Sequence, residues 1–281
     1  VRKWGSTAET RAAALADDKF GPAALSEPAL SACHSRDLKD APSHIQGDIP
    51  EWIQPTFEKS FGDTWLREAQ ALAERPTLDL RANILKATRE KAVKALERSG
   101  AQEASIARYG IRIAAGEGAS RLPNVTAELS FQKGWFEVQD EGSQIVADLV
   151  LPQDGEQVLD YCAGGGGKTL AMSAAMHNKG QVHAYDADRK RLAPIIERLK
   201  RAGTRNVQVH DNPKALKNLE DRCDKVLVDA PCTGTGTWRR RPDTKWRLTA
   251  KNLDERTAQQ SGRSGRRRSH RGDGHRARRH G

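Results

Sequence analysis

The sequence predicts an α/β protein in which a small α+β module precedes a doubly wound parallel sheet. Three observations predict this. From residue 157 onward, short apolar runs alternate with segments of helical length. Four consecutive glycines, Gly164–Gly167, follow the first of these runs, and acidic residues stand at the ends of the next ones. Parallel sheets bind their ligands at the carboxyl ends of the strands, so these positions predict one site.

Composition narrows the class of protein. The chain has 281 residues, enough for two domains, but its hydrophobic fraction is only 37%. No apolar run approaches 18 residues, so no membrane anchor is predicted and we expect a cytoplasmic monomer. The cysteines show neither a disulfide framework nor zinc-type CxxC spacing, which favours a reducing compartment and predicts no metal site; they are Cys33, Cys162, Cys223 and Cys232.

The positive charge is concentrated at one end. Of the net charge of +10, residues 261–281 contribute +7 through eight arginines and one aspartate. The basic character is therefore mainly a property of the tail. The predicted organisation is an irregular segment at 1–48, a small α+β module at 49–130, an α/β domain at 131–260, and a disordered basic tail at 261–281.

The predicted elements follow from periodicity. In the module we expect two short helices within residues 49–76, strands at 77–83 and 110–114, and a helix at 87–99. A strand at 134–140 and a helix at 142–151 lead into the main domain. There the strands are predicted at 157–163, 181–186, 207–211 and 224–230, and the helices at 168–178, 188–201 and 213–221.

The glycine turn between the first strand and its helix predicts a ligand loop, because glycine lets a ligand approach main-chain N–H groups closely. A flexible loop without function is the simpler interpretation. A phosphate-binding P-loop fails because Cys162 occupies the position of its first glycine, and the dinucleotide fingerprint fails at Thr169. An adenosine ligand without phosphates fits better, which points to S-adenosylmethionine.

Carboxylates at the next strand ends support the same ligand. Asp186 follows the second strand and can accept both hydroxyls of a ribose; its alternative role is a helix N-cap, which Asp188 could fill instead. Asp211 follows the third strand, where its side chain could accept a hydrogen bond from an adenine amino group. The alternative for Asp211 is a turn residue before Asn212.

The most specific feature is the stretch VDAPCTGTGTWRRRPDTKWRLT, which contains Asp229 and Cys232. A thiol just past a strand end can serve cytosine C5 methylation, which requires a thiolate to attack C6. An inert buried thiol is the alternative. Basic side chains that could contact phosphate and tryptophans that could stack on bases follow it: Trp238, Arg239, Arg240, Arg241, Lys245, Trp246 and Arg247.

Several stretches resemble one family. DYCAGGGGKTLAM, AYDADRKRL and the stretch around Cys232 resemble successive motifs of the RsmB/Sun family of RNA 5-methylcytosine methyltransferases, and RANILKATREKA resembles that family's small N-terminal module. The resemblance implies a class I S-adenosylmethionine-dependent fold acting on ribosomal RNA. The cofactor contacts that it implies are Cys162, Ala163, Gly164, Gly165, Gly166, Gly167, Lys168, Asp186, Asp211 and Asp229.

The sequence departs from the family at two places. The family's loop usually reads CAAPGGKT, whereas Gly164 and Gly165 replace Ala-Pro here, which should loosen the turn. The family's nucleophile is a cysteine in a later Thr-Cys-Ser motif, which this sequence lacks, and the cysteine matching Cys232 assists product release. We therefore expect an incomplete sheet, an exposed edge strand and weak or absent catalysis, and we interpret residues beyond Gln260 as a frameshift or truncation product.

Three alternatives stay open at this point. The tail could be a genuine RNA-binding arm, and the chain a non-catalytic RNA-binding remnant. Cys232 could itself act as the nucleophile, as in DNA cytosine-5 methyltransferases, whose catalytic cysteine also follows a proline. A phosphate-loop ATPase is the least favoured alternative because of Cys162.

Overall fold

The computed structural model describes residues 26–28, 31, 37–116 and 121–268, with side chains described as far as residue 261. Most of the predicted irregular segment 1–48 and the tail beyond residue 268 lie outside the described residues. The last helix continues across the predicted boundary at residue 260, to Arg268. Within the described part of the chain, no helix is both long enough and apolar enough to cross a membrane.

The described part of the chain begins with helices, and strands and helices are interspersed from residue 78 to 227. The principal helices are α1 (Ser43–Gln46), α2 (Gln54–Phe61), α3 (Trp65–Ala71), α4 (Arg89–Ala95), α5 (Leu129–Gln132), α6 (Glu141–Asp148), α7 (Gly167–Ala175), α8 (Arg189–Leu192), α9 (Ile195–Ala202), α10 (Pro242–Arg247) and α11 (Ala250–Arg268). The strands are β1 (Leu78–Ala82), β2 (Ala101–Glu103), β3 (Gly110–Ile113), β4 (Phe136–Val138), β5 (Gln157–Asp160), β6 (Gln181–Tyr185), β7 (Val207–His210) and β8 (Lys225–Leu227).

The chain divides into two compact units, each formed by separate stretches of sequence. The first comprises the described parts of Val1–Pro76, Gly116–Arg121 and Thr233–Asp254. Its core is a cluster of apolar side chains from α2, α3 and the segment before α10, in which the ring of Trp238 stacks on Phe57 with centroids 6.1 Å apart. Burial of two aromatic rings is the main stabilising term here.

The second unit contains both sheets. Its antiparallel sheet has the order β2-β3-β1-β4, and α4 contributes Ala92 and Leu96 to the apolar core with Leu80 and Ile111. Helix α4 begins where the Thr88 hydroxyl accepts from the Lys91 N–H. The sequence analysis did not predict β2, which is only three residues long.

The parallel sheet of the same unit has the order β7-β6-β5-β8. Val158 and Val182, paired between β5 and β6, are fully buried, because helices cover both faces of a parallel sheet. Among the described strands, β8 pairs only with β5 and is half-buried along its length. This agrees with the expectation of an edge strand there.

Three predictions about these elements are corrected. Strand β4, assigned to the main domain, pairs instead with β1 of the antiparallel sheet, so the boundary at residue 131 does not separate the sheets. The helix predicted at 188–201 is divided into α8 and α9 at Pro194, whose ring removes a main-chain donor. The helix predicted at 213–221 is a 3₁₀ helix, Pro213–Leu219.

The two sheets of the second unit meet at β4 and α9. The side-chain amide of Asn83 donates to the carbonyls of Gly134 and Ala202, both at 2.8 Å. Gly134 has φ +73°, and a Cβ there would lie 2.0 Å from the Arg201 carbonyl oxygen. Only glycine permits such a close approach of two backbones.

Candidate functional site

The glycine turn lies at the carboxyl end of β5, between β6 and β8. The Ala163 N–H donates to the Tyr185 carbonyl at 2.9 Å, and α7 begins at Gly167. Gly166 has φ +83°, and a Cβ there would lie 2.5 Å from Ile195 Cγ1. The turn therefore requires glycine at position 166 for both its backbone conformation and its packing.

Asp186 lies directly under this turn. Its Oδ2 accepts from the Gly164 N–H at 2.9 Å and its Oδ1 accepts from the Asp188 N–H at 2.9 Å. The cap of α8 is formed by Asp188, whose side chain accepts from the Lys190 N–H. Asp188 rather than Asp186 therefore caps α8, and Asp186 orders the turn through its hydrogen bond with Gly164.

Asp160, at the end of β5, is a site residue that the sequence analysis missed. Its side chain is almost completely buried, Oδ2 accepts from the Thr169 hydroxyl at 2.7 Å, and Oδ1 has no hydrogen-bond partner. Burial is the main cause that raises the pKa of Asp160 to about 6; the Thr169 hydrogen bond and Lys168 oppose this rise, and Asp229 and Asp186 add to it. A carboxylate ending a buried strand just before a glycine turn was the signal that could have revealed it.

Lys168 and Asp229 join the turn to the strand on its other side. The Lys168 Nζ lies 2.6 Å from Asp229 Oδ2, with the lysine mostly covered and the carboxylate half exposed. The pair connects the first turn of α7 to the loop after β8. Because one oxygen of Asp229 is solvent-accessible, the pair is an electrostatic clamp at the rim of the site rather than part of the core.

The other predicted positions of this edge differ in exposure. Cys162 is buried and Ala163 packs partly against Ile195 and Leu192. Asp211 is two-thirds exposed at the end of β7, 3.6 Å from the Arg189 guanidinium. The structure therefore brings Asp160, Asp186 and Asp229 around the glycine turn, whereas Asp211 lies at the outer strand.

Cys232 is exposed, whereas Cys162 is buried and Cys223 half-buried. Burial raises the pKa of the Cys223 thiol, and Asp224 adds to this. Less of the nucleophilic thiolate therefore forms at Cys223, which makes this thiol less reactive. The carbonyl of Pro231, next to Cys232, accepts from the Gln260 side-chain amide at 3.0 Å.

The basic segment after Cys232 belongs to the first unit, and two predictions there need correction. Lys245 is buried, its Nζ 2.5 Å from Asp48 Oδ2, so its ammonium faces a carboxylate and not a phosphate. Trp238 is buried in the core and presents no face for stacking. Both were predicted from residue type alone, which does not reveal burial.

The remaining members of the segment do reach solvent. Arg239 is half-buried and donates to the Ala71 carbonyl at 2.8 Å, whereas Arg240 and Arg241 are exposed. Trp246 is 59% exposed. Arg247 is exposed and paired with Asp243 within α10.

Comparison with known proteins identifies the family. A model described as 16S rRNA methyltransferase RsmB/F matches residues 147–262, and a model described as an RsmF/B-like ferredoxin-like domain matches residues 49–117. The chain belongs to the RsmB/Sun family. The family prediction made from the motifs is confirmed, as is the class I methyltransferase fold preceded by a small α+β module, which the comparison describes as ferredoxin-like.

Individual relatives agree with this. The chain is 35% identical to ribosomal RNA small subunit methyltransferase B of Cronobacter sakazakii over 211 residues, 73% of this chain and 47% of that protein. The crystal structure of PH0851 matches with TM-score 0.68 and 27% identity over 82% of this chain and 53% of the other. A methyltransferase homologue from Pyrococcus horikoshii matches with TM-score 0.59 and 26% identity, covering 69% and 64%.

The chain spans about half the length of the curated relatives that it matches. S-adenosylmethionine is the cofactor of this family and fold, and the residues fit it. Asp160 carries an unpartnered buried oxygen, and Asp186 lies under the turn. An acidic edge suits a sulfonium cofactor and disfavours a polyphosphate, because carboxylates repel phosphate oxygens.

Proposed function

We propose that this chain binds S-adenosylmethionine over the glycine turn and serves methylation of cytosine C5 in ribosomal RNA. The observation that carries the proposal is the contact of Asp186 with the Gly164 N–H at the carboxyl edge of a parallel sheet. When bound there, the cofactor supplies an electrophilic methyl group. The chain's own residues orient the cofactor and handle the base.

The roles of the acidic residues follow from their positions. Asp186 would accept the ribose hydroxyls, because it ends the strand next to the turn, and Asp211, one strand further out at the same edge, would accept from the adenine amino group. The unpartnered oxygen of Asp160 would accept from the cofactor's ammonium end. Lys168 and Asp229 hold the rim, and the main chain of Cys162–Gly167 lines the floor.

The base chemistry needs a thiol. A thiolate adds to C6 of cytosine, the resulting C5 carbanion takes the methyl group, and loss of the C5 proton then expels the thiolate and restores the ring. By family resemblance Cys232 assists the expulsion step. Because no cysteine follows Cys232 in this sequence, we expect the 281-residue polypeptide to turn over weakly or not at all.

The exposure of Cys232 favours one alternative, in which this thiol is itself the nucleophile. RNA containing 5-fluorocytosine traps the covalent adduct, because fluorine at C5 cannot leave as a proton does. A denaturation-resistant adduct that disappears in Cys232→Ser, and persists in Cys223→Ser, would establish the alternative. Absence of any adduct supports a release role.

An RNA partner is supported by exposed groups beside the antiparallel sheet of the second unit. Trp135 is half-exposed, with the ammonium of Lys91 4.3 Å from its ring centroid and that of Lys133 at 5.6 Å. Aromatic rings flanked by cations stack unpaired bases while neutralising the phosphates around them.

A cavity of about 450 Å³ in the second unit is lined by residues at the start of α4 and by Arg108 and Tyr109. The Arg108 guanidinium lies 5.2 Å from the Tyr109 ring centroid. In the first unit, Arg240, Arg241 and Trp246 offer a second set of exposed groups of the same kind. We propose that the aromatic and cationic groups of the second unit and those of the first unit both contact RNA.

Calorimetry with S-adenosylhomocysteine tests the cofactor proposal. Binding to the wild-type chain, lost in Asp186→Ala and little changed in Asp154→Ala, is the expected result, because Asp154 is an exposed carboxylate paired with Lys179. Uptake of ATP with no heat from S-adenosylhomocysteine would overturn it. A non-catalytic RNA-binding remnant predicts instead salt-sensitive RNA binding, mostly lost on deletion of residues 261–281, with no S-adenosylhomocysteine affinity.

A further inference from the structure

A buried carboxylate of the antiparallel sheet is clamped by the helix that packs behind the glycine turn. Glu137 on β4 is 2% exposed. Its Oε2 accepts from the Arg198 NH2 at 3.0 Å and its Oε1 accepts from the Arg201 NH2 at 2.6 Å. Both arginines lie on α9. Hydrogen-bonded ion pairs of this kind are rigid when buried, because neither partner can be solvated elsewhere.

Arg198 also donates a hydrogen bond to the glycine turn, which Arg201 does not. Its NH1 donates to the carbonyl of Gly165, in the middle of the glycine turn, at 2.6 Å. One guanidinium therefore joins a carboxylate of the antiparallel sheet to the main chain of the cofactor loop. The planar fork of arginine allows this, since its nitrogens point in fixed and different directions.

Glycine at position 165 leaves the space for this contact. A Cβ there would lie 3.2 Å from the Arg198 NH1, closer than most side-chain contacts. The family's usual loop has proline at this position. The replacement that should loosen the turn is thus accompanied by a guanidinium that holds it.

We propose that Arg198 is a positioning residue for the cofactor loop, with Glu137 as its anchor in the neighbouring module. The guanidinium restrains the Gly165 carbonyl from one side while Asp186 restrains the Gly164 N–H from the other. Together they replace the rigidity that proline would supply. The inference rests on the proposed cofactor site, but its structural part does not depend on a ligand.

The matched pair Arg198→Met and Arg201→Met tests this. Both variants break one half of the Glu137 clamp, so both should lower the melting temperature. Arg198→Met should in addition weaken S-adenosylhomocysteine binding about 10-fold, measured by calorimetry, whereas Arg201→Met should change it less than about 2-fold. Arg198→Lys can reach one partner but not both and should restore affinity only partly.

Hydrogen exchange of the ligand-free protein supplies a second measurement. The amides of Gly164–Lys168 should exchange faster in Arg198→Met than in Arg201→Met. Equal exchange and equal affinity in the two variants would overturn the proposal. If the wild-type chain binds no S-adenosylhomocysteine, the proposed function fails, and the exchange result alone then decides whether Arg198 orders the loop.

Discussion

Glu137 and Asp160 are buried to nearly the same degree in opposite surroundings. Glu137 is 2% exposed and receives hydrogen bonds from Arg198 and Arg201. Asp160 is 1% exposed and receives one hydroxyl, from Thr169, while its other oxygen has no partner. A carboxylate matched by arginines is part of the scaffold. One with an unpartnered oxygen and a pKa raised by burial is a candidate contact for the proposed cofactor.

The largest effect should come from the matched carboxylate. Glu137→Gln leaves two guanidinium groups facing a neutral amide, near the buried Arg81, whose pKa burial already lowers to about 10. Breaking a buried ion pair from one side should cost about 3–5 kcal/mol of unfolding free energy, measured with urea at pH 7.

The control for this variant is Glu103→Gln, whose carboxylate is half exposed and paired with Arg89. An exposed pair contributes no more than about 1 kcal/mol. Similar losses in the two variants would mean that the Glu137 cluster is weaker than its burial indicates.

A second prediction compares two glycines of the turn. Gly166→Ala places a Cβ 2.5 Å from Ile195 at φ +83°, so strain and overpacking should cost about 2–3 kcal/mol. Gly165→Ala places a Cβ 3.2 Å from the Arg198 NH1, which a small shift of that side chain relieves, and should cost less than about 1 kcal/mol. Urea unfolding measures both. A larger loss of unfolding free energy in Gly165→Ala than in Gly166→Ala would contradict the turn geometry described above.

Replacing Asp160, the carboxylate with an unpartnered oxygen, should stabilise the fold at neutral pH, whereas replacing Glu137 should destabilise it. The pKa of Asp160 is raised from 3.8 to about 6, chiefly by burial, so the folded state holds this proton more tightly than the unfolded chain does. The contribution of the protonated Asp160 to the unfolding free energy is complete below pH 4 and is lost as the pH rises to 6. Above pH 6, Asp160→Asn should therefore stabilise the fold by about 1–2 kcal/mol while weakening S-adenosylhomocysteine binding.

Asp79 is the control, because its pKa is shifted in the opposite direction to that of Asp160. Burial alone would raise its pKa, but hydrogen bonds from Arg112, Glu141 and Thr77 lower it below the ordinary value. Asp79 thus stabilises the fold at neutral pH and loses this effect as the pH falls. Relative to the wild type, Asp160→Asn should change the pH dependence of the unfolding free energy between pH 4 and 6, whereas Asp79→Asn should change it only below pH 4 and in the opposite sense. Parallel changes in the two variants would contradict the assignment.

The smallest change in unfolding free energy is expected for an exposed side chain of the basic segment. Trp246 is 59% exposed, so Trp246→Ala should change the unfolding free energy by less than about 0.5 kcal/mol. Fluorescence anisotropy with single-stranded RNA should show weaker binding, by about 1–3 kcal/mol if one base stacks there. Trp52→Ala, at another partly exposed tryptophan, should leave RNA affinity unchanged.

Local patterns predicted most of the elements, and long-range contacts account for the errors. The structure has a strand within 157–163, a helix within 168–178 and a cap formed by Asp188, all of which depend on residues close in sequence. Strand β4 was placed in the wrong sheet because its pairing with β1 joins residues more than 50 positions apart. Lys245 was misjudged for the same reason, since its partner is Asp48.

The sequence by itself determined the alternation of strands and helices, the glycine turn and the family, because periodicity, backbone freedom and motif spacing are local properties. Only the tertiary structure decided which charged groups are matched. Asp160 and Glu137 look alike in sequence, each an acidic residue in an apolar run. Their difference arises when α9 brings two arginines to one of them and packing leaves the other with a hydroxyl, because electrostatic energy depends on distance and burial rather than on residue type.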